Sequence, residues 1–183
     1  MNLSEHDLEA VADVAAFCST DDARPSLHAV HFDAGWVVGT DSYRLDAREV
    51  DSDHEGAVDP FTGKPVEVKP LKVWPAVEGG PRGAHVSTAE MHRADLPKRP
   101  RPWAMWYCLG CRSWGDKTDN VPVNACRCDA PLFDLRLFIE AMAGADEPSV
   151  VWRWRTYDLL RPARYDEYGH FHLLMPIRRA GAL

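Results

Sequence analysis

The chain has 183 residues, of which 45% are hydrophobic and 27% charged, and its formal net charge is −7. This length and balance fit one globular domain, or one domain with a large insertion. No apolar run approaches the roughly 20 residues of a membrane span, and the acidic start lacks the pattern of a secretory signal. We therefore expect a soluble cytoplasmic protein, and the negative charge argues against a surface that is basic throughout.

The first fifty residues predict a helix followed by three short strands. Ser4 is a candidate N-cap with Asp7 three residues later, and apolar residues recur at helical spacing from Leu8 to Cys18. The three strand candidates are separated by turn residues and span 26–33, 35–40 and 43–50.

The middle of the chain differs in composition from both ends. Nine prolines and a Gly-Gly pair fall between residues 51 and 129, which excludes long helices there. The stretch also contains the basic segment HRADLPKRPRPW and most of the cysteines. We interpret 51–129 as a Pro-rich insertion.

The order of the first segment then repeats as one helix and three strands. Asp129 is a candidate N-cap with Pro131 in the first turn, and Gly144 is a candidate end of the helix. The strand candidates span 149–155, 158–165 and 169–178. Residues 1–50 and 130–183 therefore predict one discontinuous α+β domain.

Four cysteines are clustered as CxxC, fourteen residues and CxC, at Cys108, Cys111, Cys126 and Cys128. Four thiolates at such spacing can surround Zn²⁺ tetrahedrally, and a site filled by cysteine is structural rather than catalytic. Two disulfides or reduced thiols are the alternatives. Because a Pro-rich segment buries little apolar surface, bound metal would supply folding energy. Cys18 is predicted to be a small buried apolar residue.

Aromatic and basic residues surround the cysteine cluster. The aromatic residues either pack around the metal or form a surface for bases or a protein partner. They are Trp103, Trp106, Tyr107 and Trp114. The basic residues are candidate contacts to nucleic acid, and the alternative is that they only form a solvated surface. They are Arg93, Lys98, Arg99, Arg101, Arg153 and Arg155.

Catalytic motifs are missing from the sequence, which contains no Gly-rich phosphate loop, GxSxG or HExxH. His170 and His172 share a strand face and could bind metal, but we expect them at a half-exposed strand edge. We predict that the protein is not an enzyme.

Two segments resemble a known family. FCSTDDARPSLHAVHF followed by WVVGTDSYRLDAREV resembles the opening of the middle domain of the bacterial DNA polymerase III beta subunit, the sliding clamp. FDLRLFIEAMAGADEPSVVWRWRTYDLLRPARYDEYGHFHLLMPIRR resembles the end of the last domain of that family, with LLRPA and HLLMPIR as the most specific pieces. The chain would then contain a single clamp-type domain with a zinc-ribbon-like insertion. Such a shortened form is unusual for a chromosomal clamp and suggests a phage-encoded protein.

The resemblance implies a fold in which two helices pack on antiparallel sheets, and six such domains close into a ring around DNA. It also implies a pocket for peptides of DNA polymerase or other replisome proteins. One wall of this pocket corresponds to Thr40, Ser42, Tyr43, Arg44 and Leu45. The other corresponds to Leu173, Met175 and Pro176, where ordinary core packing is the alternative.

The charge of the helices departs from the clamp pattern. The first helix has four carboxylates and no Lys or Arg, whereas a DNA-facing surface needs positive charge. The predicted function is thus a sliding-clamp-like replication accessory, either a homo-oligomeric ring or an adaptor. The alternatives are a zinc-ribbon nucleic-acid-binding module on an α+β scaffold, or a monomeric clamp mimic that modulates a host replisome in the host cytoplasm.

Overall fold

The computed structural model divides the chain into two compact units, Met1–Gly80 with Tyr168–His172, and Pro81–Glu167 with Leu173–Leu183. It describes residues 2–21, 23–33, 35–69, 71, 86–98, 105–116, 128, 130–143, 145, 147–155, 163–167 and 169–176, without the side chains of 86, 87, 155 and 163–167. None of the described helices is long and apolar enough to cross a membrane.

The described helices are α1 (Glu5–Ala15), α2 (Pro25–His28) and α3 (Leu135–Ala143), with a 3-10 turn at Arg93–Asp95. The strands are β1 (Val30–Asp33), β2 (Trp36–Thr40), β3 (Arg44–Glu49), β4 (Gly56–Val58), β5 (Pro65–Val66), β6 (Val86–His92), β7 (Met105–Cys108), β8 (Trp114–Asp116), β9 (Leu132–Asp134), β10 (Ser149–Arg155), β11 (Ala163–Glu167) and β12 (His170–Leu174).

The first helix begins at the predicted cap. The backbone N–H of Asp7 donates to Ser4 Oγ at 3.1 Å, and the Ser4 N–H donates back to Asp7 Oδ2 at 2.9 Å. Both halves of a capping box are therefore present, and they satisfy two of the N–H groups that a helix start leaves without partners.

The buried face of α1 differs from the predicted one. Leu8 is 46% exposed, whereas Ala10, Val11 and Val14 are buried in the core of the first unit. The helix packs on β1, β2 and β3, so its orientation on the sheet selects the face that contains Val14. The spacing of apolar residues in the sequence had predicted a buried face that includes Leu8.

The sheet of the first unit is antiparallel, with strand order β5-β4-β1-β2-β3. The start of β12 lies beside β3, where Glu49 N–H donates to the Gly169 carbonyl at 2.7 Å. The predicted strand 26–33 begins only at Val30, because Pro25 occupies the first position of the helical turn α2. Proline favours that position, since its fixed φ suits a helix and its missing N–H is not needed there.

The second unit contains two antiparallel groups of strands. The long strand β10 has the predicted bounds and pairs with β6 over seven residues and with β11. A separate sheet has the order β8-β7-β9. Strand β9 occupies the place where the first turn of the predicted helix was expected, and α3 begins only at Leu135, where Arg136 N–H donates to Asp134 Oδ1 at 3.0 Å.

A group of aromatic side chains is in contact within the core of the second unit. The ring of Phe138 stacks on Tyr107 at 5.0 Å and on Phe133 at 6.0 Å between ring centroids, and Trp152 lies 5.4 Å away. Such pairs add about 0.5–1.5 kcal/mol each beyond the burial of their area.

This division of the chain differs from the predicted discontinuous domain with an insertion. Within 51–129, β4 and β5 pair into the sheet of the first unit, while β6, β7 and β8 pair into sheets of the second. The described strands of the Pro-rich segment thus belong to the sheets of the two units.

Candidate functional site

The turn between β2 and β3 contains the first group of predicted peptide-binding residues. Asp41 Oδ1 accepts hydrogen bonds from the backbone N–H groups of Tyr43 at 2.9 Å and Arg44 at 3.0 Å. Thr40 Oγ1 donates to the Arg44 carbonyl at 2.7 Å. Asp in this role replaces backbone partners that a tight turn cannot supply, so the turn is held by its own side chains.

Arg44 connects this turn to the end of the first helix. Its Nε donates to Asp41 Oδ2 at 3.1 Å and its Nη2 donates to the carbonyl of Ala16 at 3.3 Å. Its guanidinium carbon lies 5.0 Å from the centre of the Phe17 ring. Arg44 therefore has a positioning role within the first unit, and its role in peptide binding stays a prediction.

The turn presents one large apolar group to solvent. Tyr43 is 58% exposed, and the neighbouring Ser42 adopts a positive φ of 77°. Leu45 pairs with Thr40 across the hairpin, and both are half-buried. Of the predicted residues in this group, Ser42 and Tyr43 are exposed to solvent, and Tyr43 is the one with a large apolar side chain.

The second group of predicted peptide-binding residues lies at the end of β12, in the second unit. Leu173 is 7% exposed, whereas Met175 is 40% exposed and Pro176 is half-buried. The expected alternative of core packing thus applies to Leu173, and Met175 is the accessible member of this group.

Three of the four predicted zinc ligands lie together. The sulfur atoms of Cys108, Cys111 and Cys128 are all within 4.8 Å of one another, and those of Cys108 and Cys128 are 3.8 Å apart. Four sulfurs placed about 2.3 Å from a tetrahedral Zn²⁺ are about 3.8 Å from each other. Cys126 lies outside the described residues. The three sulfurs fit one face of such a site.

The CLGC segment forms a tight turn that ends at Arg112. Arg112 N–H donates to the Cys108 carbonyl at 2.9 Å, and Arg112 has a positive φ of 60°. A Cβ on Gly110 would lie 2.7 Å from Cβ of Ala130 and 3.8 Å from the sulfur of Cys128. Glycine is therefore required where the two cysteine segments meet.

The aromatic residues of this region separate into two groups. Trp106 and Tyr107 are buried, and burial raises the pKa of Tyr107 to about 12. Trp114 is 40% exposed, and Trp103 lies outside the described residues. Core packing thus accounts for Trp106 and Tyr107.

The candidate nucleic-acid contacts differ in their surroundings. Arg93 donates from Nη2 to the carbonyls of Ala145 and Glu147, so its guanidinium holds the chain that follows α3. Arg153 is half-buried in β10, and Lys98 is exposed. Arg99, Arg101 and the side chain of Arg155 lie outside the described residues.

The exposed surface of α1 carries mainly negative charge. Helix α1 and the end of β3 border a cleft of about 480 Å³ in the first unit. Its ionisable lining residues are His6, Glu9, Asp13, Arg48, Glu49 and Asp51. Arg48 is engaged with Asp13 at 3.6 Å, so carboxylates outnumber cations at this surface.

A buried polar cluster was not predicted from the sequence. Asp46, His170 and His172 are each about 1% exposed, and their ligand atoms lie within 4.8 Å of one another. The expectation of a half-exposed strand edge for the two histidines is therefore wrong, because β12 is paired with β3 and the ring of Phe17 packs against His172. The signal was the HxH spacing of His170 and His172, together with Asp46 between the apolar residues Leu45 and Ala47.

Burial changes the protonation of this cluster. Loss of hydration lowers the pKa of His172 to about 2, assisted by the nearby charges of His170 and Arg48. Burial also raises the pKa of Asp46, although the hydrogen bond from His170 opposes that shift. His172 is thus a neutral imidazole, which is the form that binds metal ions.

No protein-family model and no curated protein sequence matches the chain. Several solved structures are similar to it in fold. The beta chain of DNA polymerase III from Streptococcus pneumoniae superposes with a TM-score of 0.67 at 13% identity, over 96% of this chain and 64% of that one. The sliding clamp of Bartonella birtlesii bound to griselimycin gives 0.66 at 11% identity, over 93% and 64%. The beta subunit of Thermotoga maritima gives 0.64 at 12% identity, over 93% and 63%.

The chain therefore spans a little under two thirds of the length of these clamps. Its few helices on antiparallel sheets agree with the α+β class expected from the sequence. The chain has the fold of the DNA polymerase III beta sliding clamp.

Proposed function

We propose that this protein is a non-enzymatic, sliding-clamp-like accessory of DNA replication that binds DNA polymerase or other replisome proteins in the cytoplasm. The similarity to solved beta clamps over 93–96% of the chain is the observation that carries this proposal. A phage-encoded form would act in the cytoplasm of its host.

Peptide binding is the activity that the resemblance attaches to Thr40, Ser42, Tyr43, Arg44 and Leu45 and to Leu173, Met175 and Pro176. The exposed Tyr43 on a turn held by Asp41, and the exposed Met175 after β12, support this assignment. Tyrosine is frequent among residues that dominate binding energy, and the flexible thioether of methionine adapts to varied ligands.

Encirclement of DNA is the less favoured form of this function. Glu5, Glu9 and Asp13 are exposed on α1, and clamp binding to duplex DNA depends on cations that replace counterions at the phosphates. We therefore favour a peptide-binding adaptor over a closed ring. A monomeric clamp mimic that modulates a host replisome is one form of such an adaptor. Light scattering distinguishes the two, since a monomer fits the adaptor and a closed homo-oligomer the ring.

We also propose structural Zn²⁺ on Cys108, Cys111, Cys126 and Cys128. The 3.8 Å separation of the Cys108 and Cys128 sulfurs and the tight approach at Gly110 support it. The ion would connect the turn after β7 to the chain that precedes β9, and its binding would add folding free energy there.

A second candidate function is nucleic-acid binding through the basic segment beside the cysteines. The exposed side chain of Lys98 favours this function. We propose that Arg99 and Arg101, which follow Lys98 in the sequence, contact the nucleic acid with it. Arg153 and Arg155 of β10 are weaker candidates, and Arg93 has a structural role already.

The decisive experiment titrates a fluorescent clamp-binding peptide of a replicative DNA polymerase against the purified chain. We expect Met175→Asp and Tyr43→Ala each to weaken binding at least about tenfold, or roughly 1.4 kcal/mol. Val151→Asp and Phe61→Ala are matched controls, because Val151 and Phe61 are 42% and 92% exposed outside the proposed residues. Absent binding, or equal losses in the controls, would contradict the proposal.

A further inference from the structure

The first unit contains three buried side chains whose types and positions suit a metal ion. His170 and His172 are two residues apart in β12, so their side chains project from one face of the strand. Asp46 lies in the neighbouring strand β3. Two adjacent strands therefore bring two imidazoles and one carboxylate to one point.

The ligand atoms of the three side chains all lie within 4.8 Å of one another. Nδ1 of His172 is 3.1 Å from Asp46 Oδ1, and Nε2 of His170 donates to the same oxygen. The two imidazole centroids are 4.1 Å apart. Ligands at about 2.0–2.1 Å from a tetrahedral ion are about 3.3 Å from one another. Little movement is needed for all three to bind one ion.

The energetics of burial favour a cation at this point. Asp46 is 1% exposed, and a buried carboxylate is costly unless charge and hydrogen bonds compensate the lost hydration. Two histidines and one carboxylate form a ligand set that transition metal ions such as Zn²⁺ occupy in proteins. Asp46, His170 and His172 thus combine the chemistry and the enclosure of a metal site.

We propose that Asp46, His170 and His172 bind a divalent transition metal ion of the zinc class, at a second site separate from the cysteine cluster. The ion would join β3 to the start of β12 within the first unit. The ring of Phe17 packs on His172 at 5.5 Å between centroids, and Arg44 lies over the same ring. An ion at this site would therefore stiffen the support of the turn that presents Tyr43.

The test uses Co²⁺ as the probe, in the full chain carrying Cys108→Ser and Cys111→Ser and freed of metal by dialysis against a chelator. We expect about one Co²⁺ per chain, with ligand-field absorption but no thiolate-to-cobalt charge-transfer band. Added Asp46→Asn or His172→Gln should abolish this absorption. His31→Gln should preserve it, because His31 is a buried histidine of the same unit whose Nε2 lies 2.6 Å from the Ser26 carbonyl.

A second measurement does not depend on the folding of any variant. The wild-type chain should bind about two Co²⁺, of which only one gives the thiolate band, and bound metal should raise the thermal unfolding temperature. A wild-type stoichiometry of one with the thiolate band, or unchanged absorption in folded Asp46→Asn, would overturn the proposal.

Discussion

Gly39 of β2 lies so close to Val14 of α1 that a Cβ added to it would overlap the Val14 carbonyl oxygen, far inside the 3.0 Å that real Cβ contacts essentially never cross. The Cβ would be fixed to the backbone of β2, and the atoms that it would meet first belong to the backbone of α1. Rotation of a side chain therefore cannot relieve the overlap. We expect Gly39→Ala to lower the free energy of unfolding by more than about 3 kcal/mol, the upper range for overpacking, measured by urea denaturation.

Gly35→Ala is the control for Gly39→Ala. Gly35 has a φ of +81°, and its added Cβ would meet nothing closer than 3.5 Å. Its cost is therefore backbone strain alone, about 1–2 kcal/mol. Equal losses in the two variants would show that α1 does not press on β2 at this point.

The buried carboxylate of Asp7 should make stability fall in acid. Burial opposes its ionisation, but hydrogen bonds from Ser4 and Ser52 and the nearby His54 outweigh burial and lower the pKa of Asp7 below 3.8. A carboxyl with a lowered folded pKa stabilises above its unfolded value, and this stabilisation is lost as the pH falls through the folded pKa. We expect Asp7→Asn to be less stable than wild type at pH 6.

The difference between Asp7→Asn and wild type should shrink as the pH falls below about 3.9, the ordinary value for Asp. Denaturant unfolding between pH 2.5 and pH 6 measures it. Ser4→Ala should cost about 1 kcal/mol through loss of the cap. A pH-independent gap would show that Asp7 acts through packing rather than charge.

Replacement of Cys108 and Cys111 by Ser should remove one zinc ion per chain, measured by elemental analysis of the purified protein. Loss of a structural ion should also destabilise the β8-β7-β9 sheet, because β7 ends at Cys108. Cys18→Ser is the control. Cys18 lies in the first unit, and burial raises the pKa of its thiol to about 11, so it remains a thiol. Unchanged zinc content in the double variant would refute the cysteine site.

Alanine at Lys98, Arg99 and Arg101 tests the nucleic-acid hypothesis. If the basic segment binds duplex DNA, affinity should fall for every sequence, and the salt dependence should lose up to roughly 0.9 in slope for each phosphate contact. Arg24→Ala is a matched control, since Arg24 is exposed in the first unit and pairs with Asp21 at 3.6 Å. Equal DNA binding by wild type and the triple variant would exclude this segment.

Local chemistry made part of the structure predictable. Ser4 and Asp7 form the capping box because both are within one helical turn. The strand Ser149–Arg155 is bounded as predicted, and the cysteine spacing predicted that Cys108 and Cys111 lie beside Cys128. In each case, residues close in sequence make the interactions that decide the local conformation.

Only the tertiary structure decided the remaining features, since they depend on partners far apart in the chain. Asp46 and His170 are separated by 124 positions, so their burial together follows from the pairing of β3 with β12. The choice of Val14 over Leu8 on α1 likewise depends on the sheet beneath the helix. Sequence periodicity determines that a helix has an apolar face, whereas packing determines which residues that face buries.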